Sequence, residues 1–203
     1  MSFAQAPAAH SILILIVVIS GIGLVAAPRI IEMNLLRPYR VIRQRAYGPI
    51  ITHAFVHADW AHLLFNSLAL YSFGVTLERT IGTTRFLVLY LLGLVIAGLG
   101  TVIKHRNDPE YASLGASGAI LAVVFANIVY YPTNMVFLFF VPMPAVIFAL
   151  GYLAYTWWAS GQSRGRINHD AHLDGALTGL IFVGLTDYDA WRRAFRIVGA
   201  AIS

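Results

Sequence analysis

The chain has 203 residues, of which 59% are hydrophobic and 11% charged, and its mean hydropathy is +0.73; this balance excludes an ordinary water-soluble domain and reads as a multi-pass membrane protein. There is no cysteine, which excludes disulfides, thiol catalysis and cysteine zinc sites and leaves any chemistry to Ser, His, Asp, Glu or Asn. The net charge of +5 comes mostly from arginines beside apolar segments, so the expected partner is anionic membrane lipid and not nucleic acid.

A bilayer core needs about 20 apolar residues per helix. Segments near that length are expected as helices at Ser11–Ala27, His62–Leu77, Phe86–Ile103, Leu114–Tyr131, Pro144–Trp158 and His169–Leu185. The first run lacks a basic segment ahead of it and is read as a retained helix, not a cleaved signal. Between it and the second lies a long connection carrying Arg29, Arg37, Arg40, Arg43 and Arg45 among apolar residues, expected to be a structured interfacial element. "NMVFLFFVPM", residues 134–143, is apolar but proline-broken and is expected to be extended at the membrane edge. Pro144 suits the first position of the fifth helix. The tail "DYDAWRRAFRIVGAAIS" suits an amphipathic surface helix. No internal repeat or second domain is visible, so residues 1–203 read as one membrane domain. Loop charge leaves the orientation undecided: the long loop's arginines favour its side as cytoplasmic, and without them the two sides nearly balance.

Polar residues inside membrane helices are costly and mark candidate sites. His62 and Asn66 open the second segment, Ser117 the fourth and His172 the sixth. These helices share a direction, so all four groups fall at similar depth on one face of the membrane. Small residues at Gly118, Ala122 and Ala126, and at Ala171, Gly175 and Gly179, let the fourth and sixth helices pack backbone to backbone. Ser117 and His172 sit at the edge of that contact. A serine hydroxyl within reach of an imidazole is the minimum device for nucleophilic catalysis. His62 and Asn66, one turn apart on one face, can donate to an oxyanion beside the backbone N–H of Ser117. Taken singly, such a serine usually bonds back to its own helix and such a histidine usually joins two helices; it is their convergence that carries the reading.

His53, His57, Asp59 and His62 lack the His-Glu-x-x-His pattern of zinc proteases, so no metal is expected. Asp170 and Asp174 each lie two residues from His172, about 200° around the helix, so a dyad is expected instead of a triad. An aspartyl mechanism would need two membrane carboxylates, and Asp174 has no obvious partner.

These residues resemble the rhomboid intramembrane serine proteases, from about His53 to Leu185. The resemblance rests on "HAFVHADWAHLLFN" with its His-x-x-x-Asn, "LERTIG", the Gly-x-Ser-Gly of "GASG", and the Ala-His-x-x-Gly-x-x-x-Gly of "AHLDGALTG". It implies an all-α bundle of six transmembrane helices with a long, partly embedded first loop and a cavity opening to the extracytoplasmic face. It further implies Ser117 as nucleophile, His172 as base, His62 and Asn66 in the oxyanion hole, and Gly115, Gly118, His57, Glu78, Gly175 and Gly179 in support. The activity implied is cleavage of other proteins' transmembrane segments without a cofactor, in a bacterial inner membrane, with the oligomeric state open. Gly48-Pro49 falls near where some members have a tryptophan-arginine pair, Leu121 stands where some have a tyrosine beside the catalytic ring, and Asp174 is an unusual charge for that helix, expected to face the cavity. The alternatives are a non-catalytic rhomboid-like binder of client proteins and, against the absence of repeat symmetry, a solute transporter.

Overall fold

Proline sets where the first helices begin. The computed structural model describes residues 3–138, 140–160 and 167–202, and its regular structure is almost wholly helical. Helix α1 (Pro7–Val25) starts four residues before the expected Ser11. Its own N-cap, Ala6, has no capping side chain, but the Glu78 carboxylate accepts the N–H groups of Ala8 (3.0 Å) and Ala9 (2.7 Å) from a distant part of the chain. A carboxylate there satisfies orphan donors and meets the positive end of the helix dipole. The Thr83 hydroxyl donates to the same group at 2.8 Å.

Pro28, Pro38 and Pro49 then open α2 (Pro28–Asn34), α3 (Pro38–Gln44) and α4 (Pro49–Thr52), each in the first turn where a missing N–H costs nothing. The arginine-rich connection is therefore a chain of short helices closed by a 3-10 turn at His53–Phe55. Leu36 and Ser113 exchange backbone hydrogen bonds of 2.9 and 3.0 Å, which fastens this connection to the loop ahead of Ser117.

Asp59 caps α5 (Trp60–Ala69), its Oδ1 accepting the His62 N–H at 2.8 Å. The chain stays helical through a π turn at Leu70–Gly74 into α6 (Val75–Ile81), so the expected second segment is one rod with a widened turn in it. Gly82, at φ 83°, separates it from α7 (Thr83–His105). Helix α8 (Ser117–Tyr130) begins three residues after the expected Leu114, because Ser113 is held in its bridge and Gly115 takes φ 107°. From Gly118 to Val129 every residue of α8 is buried.

The stretch expected to be extended holds two strands: β1 (Met135–Leu138) pairs antiparallel with β2 (Val141–Pro144); Phe139 lies outside the described residues. Pro144 ends β2 opposite Met135 and does not open the helix. Helix α9 (Ala145–Ser160) starts one residue later, where Ala145 N–H bonds Asn134 O (2.8 Å) and Val146 N–H bonds Pro132 O (2.9 Å). Helix α10 (His169–Thr186) is capped by Asn168, whose Oδ1 accepts the Ala171 N–H at 3.1 Å. Helix α11 (Tyr188–Ile202) buries Ala190 and Ala194 and leaves Arg192, Arg193 and Arg196 exposed.

The core is the mutual packing of α7, α8 and α10. A methyl group on Gly175 would overlap the Gly118 carbonyl, and one on Gly179 the Ala122 carbonyl. The two small-residue stripes thus meet with backbone against backbone. Among the described residues, α1 and α7 are long and apolar enough to cross a membrane by length and composition, and α8 and α9 are apolar but shorter.

Candidate active site

The turn that presents Ser117 is built by contacts reaching across three elements. Gly115 holds a backbone conformation that side chains disfavour, and a Cβ there would strike the His62 ring. Its N–H donates to His53 O at 3.0 Å, while His53 Nδ1–H donates to Pro49 O at 2.8 Å. Asn168 donates to Thr101 Oγ1 (2.8 Å) and Ser113 Oγ (3.1 Å) while capping α10. It joins α7, the loop before Ser117 and the helix that carries His172.

His57 lies just ahead of α5, is fully buried, and makes two bonds. The Ala116 N–H points at Nε2 (3.5 Å), so Nδ1 carries the proton and donates to Ser20 Oγ (3.0 Å), which in turn donates to Phe55 O (3.2 Å). Burial, with His62 beside it, lowers this imidazole from 6.5 to about 3. It is a neutral strut under the serine turn. Glu78 stands apart from this cluster, at the start of α1.

Ser117 and His172, 55 residues apart, meet: Ser117 Oγ lies 2.8 Å from His172 Nε2. Both are half-buried. Ser117 is the first residue of α8, where backbone N–H groups lack intrahelical partners and Ala116 offers no capping side chain. The His62 ring stands against Gly115 and packs edge-on to His57, centroids 4.9 Å apart. Asn66 is buried on the same face and its Nδ2 donates to His62 O at 2.9 Å. Among the described contacts, that amide reaches neither Ser117 nor His172.

The two aspartates of α10 turn elsewhere. Asp170 pairs with Lys104 and, at 3.3 Å, with His105 Nε2. Asp174 lies against Gly100 of α7, which replaces the expectation that it faces the cavity; Gly100, with no side chain, leaves the room that the carboxylate fills. The second nitrogen of His172 meets a group that the sequence reading missed: Tyr152 OH, from α9, is 3.0 Å from His172 Nδ1. A tyrosine in an apolar helix carries no signal that pairs it with a distant histidine. Among the described residues no cluster of His, Cys, Asp or Glu is arranged to hold a metal ion.

A serine on a helix N-terminus, bonded to a histidine two helices further along the chain, occurs here inside a recognised domain. The rhomboid domain profile matches residues 43–187, which takes in Ser117, His172, His62, Asn66 and Tyr152. The chain belongs to the rhomboid family. It is 30% identical over 148 residues to RHOMBOID-like protein 12, mitochondrial, of Arabidopsis thaliana, covering 65% of this chain and 44% of that protein. It is 32% identical over 139 residues to Rhomboid protein 1, mitochondrial, of Saccharomyces cerevisiae, covering 66% and 40%. It is 31% identical over 140 residues to Rhomboid protease GluP of Bacillus subtilis, covering 68% and 26%. The chain spans less than half the length of each of these relatives. Rhomboid proteins are membrane proteins, and the apolar helices of this rhomboid chain fit that setting.

Proposed function

We propose that this rhomboid protein is an intramembrane serine endopeptidase that cuts transmembrane segments of other proteins. Residues 1–203 form one membrane domain in this reading. Six segments cross the membrane, namely α1, the α5–α6 rod, α7, α8, α9 and α10, with the site open to the extracytoplasmic side of a bacterial inner membrane. The observation that carries the reading is the 2.8 Å contact between Ser117 Oγ and His172 Nε2. The serine hydroxyl donates to the imidazole, which takes the proton as Oγ attacks the scissile carbonyl. The imidazolium returns that proton to the leaving amine, and water then resolves the acyl-enzyme by the same route.

Negative charge on the carbonyl oxygen is met by the Ser117 N–H, the His62 ring and Asn66. The Asn66 amide has two N–H donors, and its bond to His62 O uses one and leaves the other for the oxyanion. Gly115, Gly118, His57, Glu78, Gly175 and Gly179 support this arrangement through the turn, the helix crossing and the α1 cap.

The test is labelling of the detergent-purified protein with a serine-reactive fluorophosphonate. Wild type is expected to label, while folded Ser117→Ala and His172→Ala variants do not. Wild type that neither labels nor cleaves any transmembrane substrate would overturn the protease reading in favour of a client-binding rhomboid.

A further inference from the structure

The geometry points to Tyr152 as the positioning residue of His172, in the place that a carboxylate holds in a serine triad. This inference rests on the protease reading above. For Nε2 to accept the Ser117 proton, the neutral ring must carry its own proton on Nδ1. That N–H then needs an acceptor, and the oxygen 3.0 Å away is the Tyr152 hydroxyl. The neighbouring polar side chains are engaged or turned aside. Asp170 is paired with Lys104 and His105, and Asp174 lies against Gly100. The His169 ring stands edge-on at 6.1 Å and makes no hydrogen bond to His172.

Tyr152 is itself fixed. Its ring lies 5.9 Å from Phe125, two turns along α8 from Ser117, and 5.5 Å from Phe148, one turn back on α9. It is tilted only 27° from the plane of the His172 ring, with centroids 6.4 Å apart. Hydrogen bond and ring packing therefore restrain the tautomer and the plane of the imidazole together. Leu121, one turn from Phe125 and buried in the core, has no polar atom to offer; the orienting group comes from α9 instead of α8. A phenol also suits the setting chemically. It accepts from Nδ1–H in both the neutral and the protonated ring, and it does so without placing an unpaired charge in an apolar interior.

The experiment compares wild type with Tyr152→Phe, which keeps the ring and removes the hydroxyl. In wild type, ring-15N NMR of histidine-labelled protein, with the His172 signals assigned by their loss in His172→Ala, is expected to report the Nδ1–H tautomer. In Tyr152→Phe the tautomers become mixed, kcat for a transmembrane substrate falls about tenfold, and KM and the melting temperature stay unchanged. An Nε2–H tautomer in wild type, or an Nδ1–H tautomer retained in Tyr152→Phe at the wild-type proportion, would overturn the inference. A wild type without turnover would defeat the protease reading alone, because the tautomer is still read directly from the spectrum.

Discussion

The Ala116 N–H points at His57 Nε2 at 3.5 Å, so the residue immediately before Ser117 rests on a ring whose other nitrogen is anchored to Ser20 of α1. This neutral histidine makes folding sensitive to acid. Its imidazole is near 6.5 when unfolded and about 3 when folded, so between those values the unfolded chain binds the extra proton. Stability rises with pH across that window and is lost on acidification. The melting temperature in detergent is expected to fall steadily as pH drops below about 6.5. His57→Gln lowers the melting temperature at neutral pH and makes that fall shallower. Some slope remains because burial also lowers His53. Equal slopes for the variant and wild type would contradict the assignment.

Gly175→Ala should wedge apart the helices that carry the serine and the histidine. The added methyl overlaps the Gly118 carbonyl, which is backbone and cannot rotate away. Overpacking of this kind costs roughly 1–3 kcal/mol, read as a lower melting temperature. Fluorophosphonate labelling should fall further than that loss explains, since the displaced carbonyl belongs to the residue next to Ser117.

Glu78→Ala removes the acceptor of Ala8 N–H, Ala9 N–H and the Thr83 hydroxyl at once. The loss should be at least about 2 kcal/mol, because bonds to a charged group are worth more than neutral ones. Hydrogen exchange provides the local check. The amides of Ala8 and Ala9 lose protection before the rest of α1, and unchanged protection there would remove Glu78 from this role.

Asn66→Ala is expected to lower kcat by about 10²–10³ if its free N–H meets the oxyanion, with the melting temperature serving as the control for folding. The pH profile belongs beside this test. A protonated imidazole cannot accept the serine proton, so kcat/KM should fall as acid titrates His172. A rate that is flat from about pH 5 to 8 would argue against a histidine base.

What could be read in advance depended on whether the informative residues were neighbours in sequence. The meeting of α8 with α10 was legible because Gly118, Ala122 and Ala126, like Ala171, Gly175 and Gly179, recur once per helical turn, and only close backbones use such a stripe. Nothing local announces that Glu78 caps a helix some seventy residues away, which is why α1 begins earlier than its hydropathy suggested. Helical spacing put Asp174 off the His172 side, but which neighbour would receive it depended on Gly100, in another helix. Pro144 satisfied the rule for a first helical residue and yet closes a strand, because its partner on the facing strand, Met135, decides the matter. Tyr152 was hidden for the same reason: its meaning lies in the ring it touches.

Helix α8 has only 14 residues. At about 1.5 Å per residue it is roughly 21 Å long, against a hydrocarbon layer of about 30 Å. With its far end level with one interface, Ser117 would lie about 9 Å beneath the other. A substrate helix keeps its carbonyls tied up in its own ladder, so a scissile carbonyl at that depth must be freed from it before Ser117 can reach it. On the protease reading proposed above, selection would then depend less on which side chains a client offers than on how readily its helix unwinds at the depth of the serine.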